Sequence, residues 1–540
     1  MLATPTSHAS GPKPSGSLRE MLRLLLIKLG SNQETRPIVE NIRKRVGHCF
    51  IAGVEEKLDV SDSVYDCVLT SHDDALYAAY SKVDVDKLAM TADLYSQVRF
   101  FEGQCLRMVD RVKYHNQDEY LHDLSSVRYK DSFQSRSDLV FRHSLFWNHV
   151  LDKYNFDAVI WQNFSHLGWD LPLYYFCKSR NIPTLFFHDV GQFPESQFVQ
   201  EQIESFGNLH LGKHLREICG GNLLPETRDR ILVNLTGLKG GPELHRQKVR
   251  KPVAQGRSFN TGLMASILHN GDVRSNLYSL SDVGLRVVSK AHRFVAHPVA
   301  KSRLVWATLR RAVLTSKSKS EERSLSEITL PTQPFVFFPL HFQPEASTSA
   351  KGRHFVEQRE AIALVAASLP DNYCLVTKEH PHQWRRLYPR PSGFYRKLTA
   401  IPRVHLLHHS FENETILRDC QGVVSISHST LATEAWARGK KVAFLGDSHL
   451  KSAPGVFSGD QISELSKFWA EESRDFDFDF EQEMTMFVRQ LELATFEGVL
   501  YGTPNYLSGA EGRDLIARSQ HNLTEVILAW LSTKDLFNYS

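Results

Sequence analysis

Four short polar clusters lie between Phe335 and Gly446, and each contains side chains suited to handling an anion. Lys378-Glu379-His380-Pro381 places an imidazole two positions after a lysine, with Pro381 fixing the backbone behind it. Such a histidine can donate to a phosphate oxygen and, once protonated, offset charge on a leaving group. Ser427-His428-Ser429-Thr430 precedes an apolar run, so its hydroxyls suit a helix cap. The same helix start would offer free N–H groups and a positive dipole end to a phosphate. Glu434, four residues after Thr430, faces the same way one turn deeper, where a carboxylate can accept from the paired hydroxyls of a ribose. Gln343-Pro344-Glu345 offers a carboxylate that serves as acid, base or nucleophile in an enclosed cleft and as part of a turn elsewhere.

These clusters need strands to position them. Short apolar runs at Phe335–Phe338, Tyr373–Thr377, Val404–Leu407, Gly422–Ile426 and Lys441–Leu445 read as strands. They alternate with helical stretches at Val356–Ser368, Glu412–Asp419 and Thr430–Arg438, the last closed by Gly439. Apolar strands alternating with helices predict a parallel sheet covered on both faces. Ligands of such sheets sit beyond the carboxyl ends of the strands, where the four clusters fall. The first half holds a similar unit. Strands at Tyr65–Thr70, Phe156–Trp161 and Thr184–His188 surround a helix at Leu171–Arg180, and their loops carry Ser165, His166, Asp170, His188 and Asp189.

A chain of 540 residues exceeds a single core. The pattern divides it into a Ser/Pro/Gly-rich leader (1–20), an N-terminal α/β domain (21–224), a basic insertion (225–332), a C-terminal α/β domain (333–475) and C-terminal helices (476–540). Between Lys239 and Lys319 stand 16 Lys/Arg and three acids, a balance of +13 in a chain whose total is +3. That block suits an anionic surface. Aromatic residues do not interleave it as nucleic-acid stacking would require, so nucleic acid is not expected. The apolar run Met21–Leu29 is too short to span a bilayer. The seven cysteines are scattered singly, which points to a reducing cytoplasm and against a zinc site or disulfide framework. Phosphate-loop, dinucleotide, zincin and nucleophile-elbow motifs are absent, and no metal or other cofactor is expected.

The run Phe-Phe-Pro-Leu-His-Phe-Gln-Pro-Glu-Ala-Ser-Thr, then Lys-Glu-His-Pro, then Ser-Ile-Ser-His-Ser-Thr with Glu434 and Phe-Leu-Gly resembles the bacterial capsule polysaccharide biosynthesis family, which includes Kdo transferases. The resemblance is close from Phe335 to Gly446, with a weaker echo in Asp157–Pro194. It implies a GT-B-like fold, two Rossmann-like domains facing a cleft, and a glycosyltransferase working without metal. By that resemblance Gln343, Lys378, His380, Ser427, Ser429, Thr430 and Glu434 would hold a nucleotide-sugar donor, most simply CMP-activated Kdo or a related ulosonic acid. Glu345 would stand at the cleft, with His166, Asp170 and Asp189 as catalytic candidates facing a glycan or lipid-linked acceptor. The expected setting is cytoplasmic, peripheral to the inner membrane. The residues also fit a CDP-polyol phosphotransferase, a nucleotide-sugar epimerase, or a non-catalytic scaffold that binds polysaccharide or membrane.

Overall fold

The run Met21–Leu29 is the middle of a sheet. In the computed structural model, β1 (Leu22–Ile27) lies between and parallel to β2 (Cys49–Glu55) and β4 (Ala158–Trp161). The structure describes residues 21–219 and 313–538, apart from 56–62, 72–74, 76–79, 81, 116–132, 164–167, 190–195, 204–207, 344–345, 350, 353–354, 382, 384–388, 460, 472–477 and 501–509. Along β1, Leu25 and Ile27 enter one buried cluster and Leu24 and Leu26 the other. A strand covered on both faces reads as a continuous apolar run, not as an alternation.

The sheet continues through β3 (Cys67–Ser71) and β5 (Thr184–Asp189), both parallel to their neighbours. Two antiparallel strands extend it, β6 (Ser196–Gln200) and then β13 (Thr495–Glu497). The order is β13-β6-β5-β4-β1-β2-β3. One face carries α2 (Ala92–His115), α3 (Phe133–Tyr154) and α4 (Leu171–Ser179), whose Phe101, Trp147 and Phe176 join the Leu25 cluster. The other carries α1 (Arg36–Val46), α5 (His210–Ile218) and α13 (Ala510–Thr533), whose Ile38, Leu215 and Trp530 join the Leu24 cluster.

The second sheet consists of β7 (Phe335–Pro339), β8 (Cys374–Lys378), β9 (Val404–Leu407), β10 (Gly422–Ser425), β11 (Lys441–Phe444) and β12 (Val456–Ser458). All its pairs are parallel, in the order β12-β11-β10-β7-β8-β9. Counted from its own first strand, that is the doubly wound order 3-2-1-4-5-6. Phe335 and Phe337 pack with Trp436 on one face, Val336 and Phe338 with Ile362 and Trp469 on the other. The covering helices are α6 (residues 313–325), α7 (Gln358–Ser368), α8 (Phe394–Thr399), α9 (Asn413–Asp419), α10 (Thr430–Ala437), α11 (Ile462–Ala470) and α12 (Phe478–Leu493). The two Rossmann-like domains of the expected GT-B-like architecture are therefore present.

Two segments behave differently from expectation. The polar stretch Thr315–Ser326, read as the tail of the insertion, is largely helix α6 docked on the second domain. Its Ser318 Oγ accepts from Arg390 N, and its Glu321 carboxylate accepts from Gly393 N and Arg396 N at the start of α8. The C-terminal segment is not helices alone, since β13 completes the first sheet before α13 covers it. The basic block between Lys239 and residue 312 lies outside the described residues.

Candidate functional site

Strand order reverses between β7 and β10, and a crevice at the carboxyl ends of those strands is where doubly wound sheets bind ligands. His341, just past β7, bridges the reversal. Its Nε2 lies 2.9 Å from Ser425 Oγ at the end of β10 and accepts the Ile426 N–H at 3.2 Å. A nitrogen that accepts carries no proton, so the ring is neutral. Burial, reinforced by His380 and Arg390, pushes its pKa down to about 3. Gln358 clasps the His341 backbone from both sides, accepting from its N–H at 2.7 Å and donating to its carbonyl at 3.0 Å.

The β10–α10 loop follows. Ser429 is the N-cap of α10: its backbone is extended, and its Oγ accepts from Ala432 N at 3.2 Å. Gly439, at φ +73°, ends the helical stretch in the left-handed region that favours glycine. Ser425 Oγ reaches both Ser427 O (2.6 Å) and Ser429 Oγ (3.1 Å), so His341, Ser425 and Ser429 form one polar chain across the reversal. Ser427 Oγ and His449 Nδ1 are buried without a hydrogen-bond partner among the described residues. Native proteins leave few such atoms, and each calls for an explanation. Gly446 lets the chain pass close by: a Cβ there would collide with the Lys351 carbonyl and lie 2.8 Å from Ile426 O.

Beneath this rim is a buried ion pair. Glu379 receives two 2.8 Å bonds from Arg390, one from Tyr395 Oη (2.6 Å) and one from its neighbour's N–H, His380 N (2.7 Å). Arg390 also donates to His341 O and Gln343 Oε1, both at 2.8 Å. The loops after β7 and β8 are thus fixed to one guanidinium. Removing either partner of a buried pair typically costs about 3–5 kcal/mol, because the other charge is left uncompensated.

The first domain meets the rim at the end of β5. Lys351 Nζ lies 2.8 Å from His188 Nε2. Phe198 of β6 packs on His449 at 5.5 Å between ring centres, and His449 packs on His428 at 3.8 Å. Burial, then His449, Lys351, His188 and His341, hold the His428 pKa well below its ordinary value. His449 is pushed down to about 3, by burial first and Lys351 second. Neutral imidazoles therefore dominate the contact between the domains.

The expected site residues take varied places. His380 follows β8, half-buried, 6.0 Å from Phe342 between ring centres and close enough to His341 to lower its pKa. Ser427, Ser429 and Thr430 line the α10 start, with Thr430 exposed. Glu434 is half-buried on α10 and adds to the field on Arg438, whose principal partner is Glu414. Gln343 is held by Gln383, Val356 O and Arg390. Lys378 turns toward α9, donating to Phe411 O at 2.7 Å and to Asn413 Oδ1, and burial lowers its pKa to about 8. Asp170 is buried at the start of α4, where its charge adds to burial in raising the Tyr80 and Cys105 pKa values. His166 and Glu345 lie outside the described residues, as does the side chain of Asp189 at the end of β5.

His341, Arg390, His449, Lys351 and His188 had no assigned role from sequence. Two signals existed: His341 stands within the Pro-Leu-His-Phe cluster, and Glu379 within Lys-Glu-His-Pro. Arg390 and His449 carried none, since each meets the site through the fold. Elsewhere, Glu322, His408 and His409 bring potential metal-ligating atoms within 4.8 Å of one another. Glu322 there accepts from both His409 N and Nδ1, a structural pairing that ties α6 to the end of β9.

No family model and no curated protein matches the chain. Among solved structures it is similar to a β-Kdo 2,7-transferase, KpsC of Thermosulfurimonas dismutans, at 14% identity and TM-score 0.20, over 33% of this chain and 62% of that one. A UDP-GlcNAc 2-epimerase from Methanocaldococcus jannaschii is similar at 12% identity and TM-score 0.23, over 87% and 99% of the two chains. CalG4, the calicheamicin glycosyltransferase, gives 12% and 0.21, over 88% and 95%. Scores this low carry no argument about chemistry. No helix among the described residues is long and apolar enough to cross a membrane.

Proposed function

We propose that the chain is a glycosyltransferase that takes a sugar from a nucleotide-activated donor, with the donor phosphate at the start of α10. The observation that carries this reading is the buried, unpartnered Ser427 Oγ beside a capped helix N-terminus at the strand-order reversal. A hydroxyl, free helix N–H groups and a dipole end together suit a phosphate oxygen. A CMP-activated ulosonic acid, such as Kdo, is the donor form favoured by the modest local charge. Arg390 is neutralised by Glu379, and Lys378 is engaged by α9, leaving Lys351 and neutral imidazoles for a single phosphodiester.

Transfer requires the leaving phosphate to be stabilised and the acceptor hydroxyl to lose its proton. Preorganised donors at the phosphate supply the first, each worth about 10²–10³ in rate. A base from the facing domain supplies the second, and the β5 end, with His188 and Asp189, is the part of that domain nearest the rim. The acceptor would be a glycan or lipid-linked glycan of surface polysaccharide synthesis, presented at a membrane that the basic block approaches.

Epimerisation of a nucleotide sugar is the second reading, favoured by His428 stacked on His449, two neutral bases within one site. Incubation with CMP-Kdo, CMP-sialic acid, UDP-sugars and CDP-glycerol separates the two. Transfer predicts free CMP together with an extended acceptor. An intact nucleotide sugar of altered configuration would replace the first reading with the second.

A further inference from the structure

A cavity of about 380 Å³ lies in the first domain, over the loop between β1 and α1 and the end of β2. Ser31, Asn32, Gln33, Glu34, Arg36 and Glu55 line it, with the Gly30 backbone. Its walls are almost entirely polar, with two carboxylates and one guanidinium. Glu55 is buried at the end of β2, with Ser63 Oγ donating to it at 3.2 Å. Arg36 stands 4.0 Å from the Glu40 carboxylate, which draws off part of its charge. Asn32 is pinned from both sides, donating to Leu500 O at 3.0 Å and accepting from Thr35 N at 2.8 Å.

The position of this cavity follows from strand direction. β2, β1, β4 and β5 are parallel neighbours, so their carboxyl ends share one edge of the sheet. At the β5 end, His188 meets Lys351 of the other domain. Neighbouring strands are roughly 4.8 Å apart, which sets the ends of β1 and β2 on the order of 10–15 Å along the edge from that contact. The cavity is therefore on the rim that faces the α10 start, about one or two sugar rings from it.

We infer that this cavity holds a neutral, polyhydroxylated sugar unit of the acceptor, and that Glu34 and Glu55 set its specificity against phosphorylated sugars. The inference rests on the glycosyltransferase reading. Amides, hydroxyls and carboxylates match the alternating donors and acceptors of sugar hydroxyls, and the volume falls within the range of small-ligand sites. Two carboxylates against one partly compensated guanidinium leave the walls net negative, and a phosphate would meet like charge. At separations near 6 Å and an intermediate dielectric, one such repulsion is worth about tenfold in affinity.

The test is saturation-transfer NMR on the full chain. Probes are the methyl glycosides of glucose, galactose, N-acetylglucosamine and heptose, together with the 6-phosphates of the three hexosides. CMP binding is measured in parallel by calorimetry. The inference predicts that at least one neutral glycoside binds, and at least tenfold more tightly than its phosphate. Glu55→Gln should weaken the neutral glycoside several-fold. Glu34→Gln, at a half-exposed position that folding does not depend on, should instead improve phosphate binding by about tenfold. CMP affinity should stay unchanged in both variants. Equal or tighter binding of the phosphates, no bound glycoside, or no response to Glu34→Gln overturns the inference. Loss of CMP binding in the wild type would overturn the glycosyltransferase reading instead, whatever the glycosides do.

Discussion

The two sheets share a strand order but not an edge. Counted from its first strand, each begins 3-2-1-4-5, with all of those strands parallel. At the C-terminal sheet the loops carry imidazoles and hydroxyls over a buried Glu379–Arg390 pair, and α10 aims its N-terminus at the crevice. At the N-terminal sheet the first loop and the end of β2 carry carboxylates and amides around a cavity. The sixth position differs as well. A parallel β12 closes one sheet, whereas antiparallel β6 and a strand from the far end of the chain close the other. One scaffold thus presents an anion-favouring rim and an anion-disfavouring rim across the domain contact, as a phosphate-bearing donor and a neutral acceptor would need.

That contrast breaks most readily at Arg390. Arg390→Ala should destabilise the second domain by about 3–5 kcal/mol, because the Glu379 charge is buried at 2.8 Å from its only cationic partner among the described residues. Urea unfolding followed by tryptophan fluorescence checks this, and a loss below about 1 kcal/mol would show that the pair does not hold the rim. Arg390→Met combined with Glu379→Leu should recover much of the loss, since a buried pair is often replaceable by packed apolar groups.

Acid should separate the two domains next. His341 and His449 are held neutral down to about pH 3, and His428 is lowered well below its ordinary value, all by burial first. An unfolded histidine titrates near pH 6.5. As pH falls below that, the unfolded chain takes up protons that the folded one does not. Stability present above about pH 6.5 is therefore lost progressively toward pH 3. Each group should cost about 1–2 kcal/mol between pH 7 and 5. In the first domain His143, buried and pushed down to about 3, adds the same effect once. Hydrogen exchange at pH 7 and 5 should show the second domain losing more protection, and equal loss in both would contradict the histidine account.

Ser429→Ala sharpens the comparison on the binding side. Loss of the cap should cost about 1 kcal/mol of stability and weaken nucleotide binding about tenfold, while leaving glycoside binding in the first domain unchanged. The smallest effect belongs to the contact itself. A double-mutant cycle of Lys351→Met and His188→Phe should return a coupling of about 0.5–1 kcal/mol, typical of a partly exposed charged pair.

How much was legible differed in the same way between the halves. Phe335–Pro339, Val404–Leu407 and Gly422–Ser425 announced themselves as apolar runs between turns, and their loops held the polar clusters nearby in sequence. Ser429 could be read as a cap because its partner is Ala432, three residues on. Leu22–Ile27 was obscured, since Arg23 interrupts the run; that residue is accommodated at the strand start by Tyr154 O and the Asp157 carboxylate. Three-residue β13 gave no local signal, because its pairing with β6 spans some three hundred positions. The site was hidden for the same reason. His341 meets Ser425 across 84 positions, and Lys351 meets His188 across 163.

Calorimetric titration of CMP into the wild type and into the Ser427→Ala, Ser429→Ala double variant tests the central claim most directly. With the donor phosphate at the start of α10, the wild type binds CMP and the double variant binds it at least tenfold more weakly, with an unchanged unfolding profile for the first domain. Equal CMP affinity in the two proteins would place the nucleotide elsewhere and contradict the account.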